Sequence, residues 1–564
     1  MNIYESRPFK IRNAEEYELS QVIDLFVNPL QDLNNPFEFE NNIIKGEMGT
    51  GKTMYLKANY AFYLYSLVPS LMSNSEMVLP VFIRLSDFQH LVQPEEIYKA
   101  VIIKIIEELS TIYLKLQDTE NMIKIHNGFR SIPYQLFEKH KLVKVTKELV
   151  KLNAEEYVES YLRKIGLDST INNDFFKIAS KFEKEDALEI KGKKNPGISD
   201  ISYAYETLLG ECKGKVLLLI DEAGSLDKSF FKGNNDKSLF EVLMNQLRTA
   251  EFIRTKIAVY PNSYSDILAE TRYGDIIMLT DDTFSEDGYI KFRQKSIDLI
   301  SKYLSNVSEE PMEPSDVFNI NESMTTGGDC LEQLIYASNG NLRRMVHLLD
   351  LSMVEAYFNH NGTGKVELKH ANSALKRFSI SMESMYTSLE KEFLENIAKV
   401  CRGNKGTYRF KFPYKSPVLS KYISKSEEQN VLKILESAAR KSGIVYAFDY
   451  SYCVSHEIPT HYVNGSEAID RNRSLLTGYW ITRVANIDES MLEDGYISDK
   501  IEGLISLTKN DSAIVSGDDK NEYYLSYENI MTEYQKIPLA IGKRLRFYPA
   551  MIEGTKHAVM VEII

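Results

Sequence analysis

The stretch Gly46–Thr53 constrains the fold more than any other part of this chain. It reads GEMGTGKT and fits the pattern G-x-x-x-x-G-K-[ST] at every defined position. Ile43 and Ile44 precede it as a short apolar strand, and residues 53–68 follow with apolar side chains at helical spacing. A strand, a glycine-rich turn and a helix in this order bring backbone N–H groups and a helix N-terminus to face bound phosphates.

The residue types in this loop predict how it would hold ATP. Lys52 would reach the β- and γ-phosphates, and the Thr53 hydroxyl would coordinate Mg²⁺. The alternative is a glycine-rich turn without a ligand, which the flanking strand and helix disfavour. The predicted nucleotide-binding residues of the loop are Gly46, Glu47, Met48, Gly49, Thr50, Gly51, Lys52 and Thr53.

A second apolar segment, Lys215–Glu222, ends in two adjacent carboxylates. Its unbroken run from Val216 to Ile220 is typical of a parallel strand covered on both faces, and ligands bind at the carboxyl ends of such strands. Asp221 would hold Mg²⁺, and Glu222 would polarise the attacking water as the catalytic base. Two adjacent acids favour a hydrolase over a simple nucleotide-binding module. The alternative is a core strand that ends in surface acids.

Polar residues also follow a third apolar strand, which spans residues 256–260. Asn262 follows it after one proline, where its side chain would contact the γ-phosphate or orient the water. Residues 263–275 are then predicted to form a helix and 276–281 a further strand, with Arg272 at the end of that helix.

This arrangement resembles the AAA+ ATPases, particularly the branch that contains the origin recognition complex and its archaeal initiators. The resemblance covers roughly residues 15–90 and 200–380. It implies that Asn262 is the polar residue that ends the strand after the acidic one, and that Arg272 is an arginine finger. It also implies that Arg343, within SNGNLRR at 338–344, senses the γ-phosphate from a helical lid. Lone residues of these types also serve as helix caps or surface groups.

The length and pattern of the chain predict several domains. At 564 residues the chain exceeds the size of a single hydrophobic core. The predicted fold class is an α/β P-loop core, a parallel sheet with helices on both faces, followed by smaller domains. Residues 95–200 show helical spacing throughout and are predicted to be an insertion that either contacts a partner or serves as scaffold. The predicted domains are a core at 1–280, a helical lid at 281–380, a winged-helix-like basic domain at 381–480 and a small β-barrel at 485–564.

A basic segment follows the predicted lid. The net charge of -13 argues against nucleic-acid binding by the whole surface, yet eleven Lys or Arg residues lie within 399–441 against three acids. A helix, a basic loop, two further helices (the second at 427–443) and a strand pair beginning at 444–454 resemble a winged helix, which implies contact with DNA. The alternative is the solvated face of a structural domain. The predicted nucleic-acid contacts are Arg402, Lys405, Arg409, Lys411 and Lys415.

The C-terminal segment, residues 485–564, alternates apolar and polar residues in five short strands. This pattern predicts a small closed barrel that resembles a cold-shock domain of the OB-fold class, whose members stack single-stranded bases on aromatic side chains. Only Tyr523 and Tyr524 remain of such a platform, and acids outnumber basic residues. Protein contact or scaffolding is therefore favoured over RNA binding here.

Targeting signals and cysteine usage predict a cytoplasmic protein without membrane contact. No apolar run approaches the roughly 20 residues that span a bilayer, and residues 1–20 lack the apolar core of a signal peptide. The four cysteines lie far apart, which indicates reduced thiols rather than a zinc site or disulfides.

The sequence leaves three functions to compare. The first is an ATPase that controls DNA binding or remodelling within an oligomer, because an arginine finger acts on a neighbouring subunit. The second is a nucleotide-gated sensor of a bacterial defence system that acts through a partner effector. The third is a metabolic P-loop enzyme, which leaves the lid, the basic segment and the barrel without a use.

Overall fold

The computed structural model divides the chain into two compact units, Ile11–Asp281 and Met1–Lys10 together with Asp282–Ile564. The first short helix, α1 (Ile3–Ser6), belongs to the second of these units. The structure describes residues 2–30, 35–73, 75–126, 140–142, 144–145, 149, 196–212, 214–226, 228–231, 238–260, 273–281, 283, 286–320, 329–404, 406–412, 417–423, 429–436, 444–460, 484–488, 491, 499–509, 512–531, 533–552 and 555–564.

A five-stranded parallel sheet forms the centre of the unit Ile11–Asp281. Its strands stand in the order β2-β3-β4-β1-β5, and every adjacent pair is parallel. The strands are β1 (Asn42–Lys45), β2 (Val78–Arg84), β3 (Lys215–Asp221), β4 (Ile253–Val259) and β5 (Asp275–Met278). The predicted α/β core is confirmed.

Helices cover both faces of this sheet, which explains why β3 is apolar without interruption. Leu218 and Ile220 pack in one core cluster, whereas Leu217 and Leu219 pack with Tyr55 in another. The helices of this unit are α2 (Leu19–Leu25), α3 (Lys52–Ser73), α4 (Pro94–His126), α5 (Ile198–Leu209), α6 (Lys228–Phe231) and α7 (Leu239–Thr249).

The predicted insertion begins with α4, which is helical as predicted for that part of the insertion. Ile97, Val101 and Ile105 on this helix are buried in the same core cluster as residues of β2 and β3, so α4 helps to cover the sheet. The further helices predicted at 134–152 and 175–190 lie mostly or entirely outside the described residues.

The second unit begins with the predicted helical lid, and the lid helices are confirmed. They are α8 (Glu286–Ser305), α9 (Pro314–Val317), α10 (Cys330–Ala337), α11 (Leu342–His360) and α12 (Leu368–Glu383). The N-terminal segment packs on them, because Arg7 pairs with Asp350 at 2.7 Å and the Tyr4 hydroxyl donates to the Gly364 carbonyl at 2.6 Å. Residues 1–10 therefore pack with the lid, although the sequence grouped them with the core.

The basic segment forms a mixed domain around a four-stranded sheet of order β7-β8-β6-β9. Its elements are α13 (Ser388–Asn404), β6 (Arg409–Phe412), α14 (Pro417–Ile423), β7 (Leu432–Glu436), β8 (Ile444–Phe448), α15 (Tyr450–Ser455) and β9 (Ala485–Asn486). The helix predicted at 427–443 is wrong over 432–436, where β7 pairs antiparallel with β8. Leu432 is buried by this pairing while Lys433 lies partly exposed, so tertiary contacts override the local helical pattern.

The strand predicted at 444–454 is also too long. It ends at Phe448, where the Asp449 side chain accepts a hydrogen bond from the Ser451 N–H and caps α15. Tyrosine and phenylalanine favour strands, so a segment rich in them is predicted as a strand even where a polar residue caps a helix.

The C-terminal barrel is confirmed as a closed barrel of five strands in the order β10-β11-β12-β14-β13. The strands are β10 (Ile501–Lys509), β11 (Ser512–Gly517), β12 (Glu522–Ser526), β13 (Arg544–Ile552) and β14 (Thr555–Ile563). β12 and β14 run parallel, and β10 pairs antiparallel with β13. None of the helices described in either unit combines the length and apolar character of a bilayer-spanning segment.

Candidate functional site

The phosphate-loop motif connects β1 to α3 in the conformation that its glycines allow. Gly49 and Gly51 have φ angles of 82° and 95°, in the left-handed region that glycine adopts without steric cost. The Gly46 N–H donates to the Val259 carbonyl at 3.3 Å, and the Glu47 N–H donates to Thr280 Oγ1 at 3.2 Å. The loop is thus fixed to the ends of both strands that flank β1.

Lys52 begins α3 and turns its ammonium group back to the loop. Its Nζ donates to the carbonyls of Gly46 and Glu47 at 2.8 and 2.7 Å, and the residue is only 9% exposed. The Thr50 hydroxyl also donates to the Glu47 carbonyl, at 2.9 Å. A buried cation held at the mouth of a glycine-rich loop is suited to bind an anionic ligand.

Thr53 and Asp221 meet at the carboxyl end of β3. The Thr53 hydroxyl donates a hydrogen bond to the Asp221 carboxylate, and the Glu222 N–H donates to its Oδ1 at 2.8 Å. Burial raises the pKa of Asp221, and these hydrogen bonds partly offset that effect. A buried carboxylate next to a threonine hydroxyl is an oxygen donor set that fits Mg²⁺, whose charge would favour the ionised carboxylate.

Glu222 lies one residue further along, with a left-handed backbone conformation at φ 57°. A non-glycine residue in this region is uncommon and costs free energy, and such strained residues cluster at functional sites. Its carboxylate accepts a hydrogen bond from the Ser86 hydroxyl. Ser86 lies in the 3₁₀ turn Leu85–Phe88 directly after β2, the strand that pairs with β3.

Ser86 is a site residue that the sequence reasoning missed. Arg84 and Asp221 are register partners on β2 and β3, so the two strands end side by side. Once β2 is placed next to β3, a polar residue two positions after Arg84 is expected beside the acid pair. The sequence alone offered no means of setting that register.

These features together define the class of the core. The phosphate loop follows β1, the acid pair follows β3, and β4 lies between these two strands. All the strands are parallel, so both motifs lie at the same edge of the sheet. The unit Ile11–Asp281 is therefore a P-loop NTPase core.

Comparison with known proteins finds similarity to one protein family over part of the chain. A family model described as ORC-CDC6-like matches residues 7–90, which include the phosphate loop. The resemblance predicted from the sequence is confirmed by this match, over the residues that it covers. A comparison with curated proteins finds no match.

Among solved structures, the chain is similar to the ORC2 protein of Aeropyrum pernix in two forms. The match to its ADPNP–ADP complexes has 11% sequence identity and a TM-score of 0.32. This match covers 80% of the present chain and 97% of the ORC2 chain. For its ADP form the identity is again 11% and the TM-score is 0.28, covering 65% of this chain and 69% of that one.

Three further site residues were predicted from the sequence, namely Asn262, Arg272 and Arg343. Asn262 and Arg272 lie outside the described residues. Arg343 lies in the first turn of α11, in the second unit, where it is partly buried. The roles predicted for these residues stay predictions.

Of the predicted nucleic-acid contacts, Arg402, Arg409 and Lys411 are described, whereas Lys405 and Lys415 lie outside the described residues. Arg402 makes contacts within its own domain, because it donates a hydrogen bond to the His456 carbonyl at 2.7 Å and pairs with Glu395.

Arg409 and Lys411 lie on one face of β6, because side chains alternate along a strand. Phe410 between them points into the core, where it is buried and stacks on Tyr446 with ring centroids 5.6 Å apart. The Arg409 guanidinium donates to the Tyr408 hydroxyl at 3.2 and 3.1 Å. Arg409 and Lys411 thus lie on a strand, where the sequence predicted a basic loop.

The barrel retains little of the predicted stacking platform. Tyr523 is 3% exposed and packs against Phe547, so it is a core residue. Tyr524 is 37% exposed and packs edge-on against His557, with the two ring centroids 5.2 Å apart. The cations of β13 are paired, since Arg544 and Arg546 both contact Glu502. Among the described residues of the barrel, Tyr524 and Tyr527 are exposed aromatics, and the arginines of β13 are compensated by acids.

Proposed function

We propose that the protein is an AAA+ ATPase that binds and hydrolyses ATP to control its binding or remodelling of DNA within an oligomer. The observation that carries the proposal is the convergence of three groups at one sheet edge. These are the buried Lys52 ammonium, the hydrogen-bonded pair of Thr53 and Asp221, and the adjacent Glu222.

Each of these residues would have a distinct part in hydrolysis. Lys52 binds the β- and γ-phosphates, and the loop N–H groups surround them. Thr53 and Asp221 hold Mg²⁺, which supplies positive charge to the phosphate oxygens when bound. Glu222 accepts a proton from the attacking water, and its hydrogen bond to Ser86 orients the carboxylate until then.

The site would be completed by residues from elsewhere. Asn262 orients the water, and Arg272 of one subunit stabilises the γ-phosphate charge in its neighbour. A finger of this kind is worth roughly 10³ to 10⁵ in rate in other phosphoryl-transfer systems. Arg343 reports the γ-phosphate to the lid, so that hydrolysis is coupled to domain movement.

DNA would be contacted through the sheet of the basic segment. Arg409 and Lys411 share one face of β6, and Lys433 lies on that face too, since both Arg409 and Lys433 are register partners of Ala447. Cations on a sheet face suit contacts with the phosphate backbone, which give salt-dependent affinity with little sequence preference.

The barrel is proposed to be of the OB-fold class and to contact protein. Its support is the strand order, with the third and fifth strands parallel and the first paired to the fourth. The predicted insertion at 95–200 is a second candidate for contact with a partner. Cys330, Cys401 and Cys453 are buried free thiols, which supports a reducing compartment such as the cytoplasm.

The test is the ATPase rate against protein concentration, without DNA and with double- or single-stranded DNA. A specific rate that rises with concentration supports completion of the site by a second subunit, and stimulation by DNA supports remodelling. A rate that ignores DNA and responds to another trigger or protein would instead support the signalling ATPase of a defence system. A specific rate independent of concentration over the range in which the protein is shown to assemble would contradict the role of Arg272 in trans.

A further inference from the structure

Tyr260 follows β4 and places its ring against the phosphate-loop lysine. Lys52 Nζ lies 4.2 Å from the centroid of this ring, well within the roughly 6 Å over which an ammonium group is attracted to an aromatic face. The same Nζ is hydrogen-bonded to the carbonyls of Gly46 and Glu47. Lys52 is thus held between its own loop and the Tyr260 ring.

The Tyr260 ring also contacts the segment after the acid pair. A Cβ atom at Gly224 would lie 2.6 Å from Cε2 and 2.7 Å from Cδ2 of the ring, closer than real atoms approach. Gly224 lies in the 3₁₀ turn Ala223–Ser225, which begins directly after Glu222. A side chain at residue 224 would therefore displace the ring from this position.

We propose that Tyr260 is a positioning residue that holds the Lys52 ammonium ready for the phosphates. This inference rests on the proposed ATP site. A neutral ring attracts the ammonium without cancelling its charge, as a carboxylate partner would. A lysine side chain has many rotamers, so a lysine that is already fixed loses less freedom when a nucleotide binds.

This arrangement joins three elements of the site through one ring. The phosphate loop contributes Lys52, the strand next to β1 contributes Tyr260, and the turn after Glu222 contributes Gly224. A change at Gly224 is therefore expected to act on Lys52 although the two residues belong to different segments. This expectation distinguishes a positioning role from simple packing of Tyr260.

The test is the Kd for a fluorescent ATP analogue, measured for the wild type, Tyr260→Phe, Tyr260→Leu and Gly224→Ala. Tyr260→Phe keeps the ring and is expected to retain most of the affinity. Tyr260→Leu is expected to weaken binding about 2- to 30-fold, the range that corresponds to one such contact. Gly224→Ala is expected to weaken binding in the same direction. The rate at saturating ATP should change by less than the affinity.

The double variant Tyr260→Leu/Gly224→Ala separates positioning from packing. If the double variant binds the analogue as tightly as the single variant with the higher Kd, both changes act on Lys52 in the same way, which supports the inference. Losses of affinity that add in the double variant would contradict it. The inference would be overturned if Tyr260→Leu bound the analogue as tightly as the wild type does. It would also be overturned if Tyr260→Phe lost as much affinity as Tyr260→Leu. If Tyr260→Leu does not fold, unchanged affinity in Gly224→Ala overturns it instead. Failure of the folded wild type to bind the analogue overturns the proposed ATP site itself.

Discussion

Arg344 and Asp449 form a buried ion pair that joins the lid to the basic domain. The Arg344 Nη2 atom lies 2.7 Å from Asp449 Oδ1, and the two side chains are 4% and 6% exposed. Arg344 also donates to Ser451 Oγ at 3.2 Å and lies over the Phe378 ring at 4.6 Å. Because Arg344 follows Arg343 on α11, the helix that carries the proposed γ-phosphate sensor is tied directly to the domain that carries the basic sheet.

Removing the charge of Asp449 should destabilise this unit strongly. Asp449→Asn keeps a side chain that caps α15 but leaves Arg344 buried without its counter-ion, which costs about 3–5 kcal/mol in comparable sites. Denaturant unfolding measures the loss. Lys369→Ala, in the exposed pair with Glu367, is the control and should leave the unfolding midpoint unchanged. A loss below about 1 kcal/mol for Asp449→Asn would contradict the role given to this pair.

His456 should make the second unit sensitive to pH. Its Nε2 lies 2.9 Å from Glu383 on α12, and its Nδ1 lies 3.3 Å from Glu395 on α13. The hydrogen bond to Glu383 raises the pKa of His456, burial opposes the rise, and the charges of both glutamates add to it. Arg402, Lys391, the Ser379 hydroxyl and the stacked ring of Tyr452 also face this cluster.

The sign follows from the raised pKa. The imidazolium stabilises the folded state fully below the ordinary pKa of 6.5, and this stability is lost as the pH rises through the folded-state value. We therefore expect His456→Gln to lower the unfolding free energy more at pH 6 than at pH 8.5. Denaturant titrations at the two pH values provide the measurement. An equal loss at both would show that the charge of His456 contributes nothing.

Lys256 should give the core unit the opposite pH dependence. It is 1% exposed on β4, and its Nζ donates to the Pro36 carbonyl at 2.8 Å and to Asn59 Oδ1 at 2.9 Å. Burial lowers the pKa of Lys256 to about 7, against the attraction of Glu38 and Glu40. The unfolded state then binds more protons than the folded state between about pH 7 and 10.5, so stability rises with pH in that window.

Lys256→Met tests this contribution, because it removes the titrating group and keeps a long side chain. Between pH 7 and 9 the unfolding free energy should rise less steeply with pH in the variant than in the wild type, so the wild type should gain stability relative to the variant. Parallel curves for the two proteins would show that Lys256 is not the group responsible.

Charge reversal on the basic segment should weaken DNA binding. Arg409→Glu, Lys411→Glu and Lys415→Glu together should lower the affinity and flatten its salt dependence, since each lost phosphate contact reduces the log–log slope by about 0.9 on duplex DNA. The matched control reverses three lysines of the barrel, Lys520, Lys536 and Lys543, and changes the net charge equally. Unchanged affinity in the first variant, or the same loss in both, would contradict DNA contact through β6.

The motifs of the nucleotide site were predictable because each lies within one short segment. The pattern from Gly46 to Thr53 and the acid pair at Asp221 and Glu222 follow from local spacing alone. Ser86 and Tyr260 were not predicted as parts of the site, since their places depend on which strands are neighbours and where those strands end. Strand order over a hundred or more residues is set by packing and not by local pattern.

The error at 427–443 has a related cause. Residues 432–436 satisfy helical spacing, but pairing with β8 buries Leu432 and makes this segment the edge strand of a sheet. Tyr523 is the corresponding error in the barrel, because alternation along β12 turns it inward while Tyr524 faces outward. In both places the local sequence pattern was recognised, but the strands that pack beside these residues were not inferred from it.

The most direct test of the account is ATP binding and hydrolysis by the wild type, Lys52→Ala and Glu222→Gln. The account predicts that Lys52→Ala loses ATP binding, and that Glu222→Gln binds ATP as the wild type does but hydrolyses it at least about 100-fold more slowly. Hydrolysis by Glu222→Gln at the rate of the wild type, or ATP binding unchanged in Lys52→Ala, would contradict it.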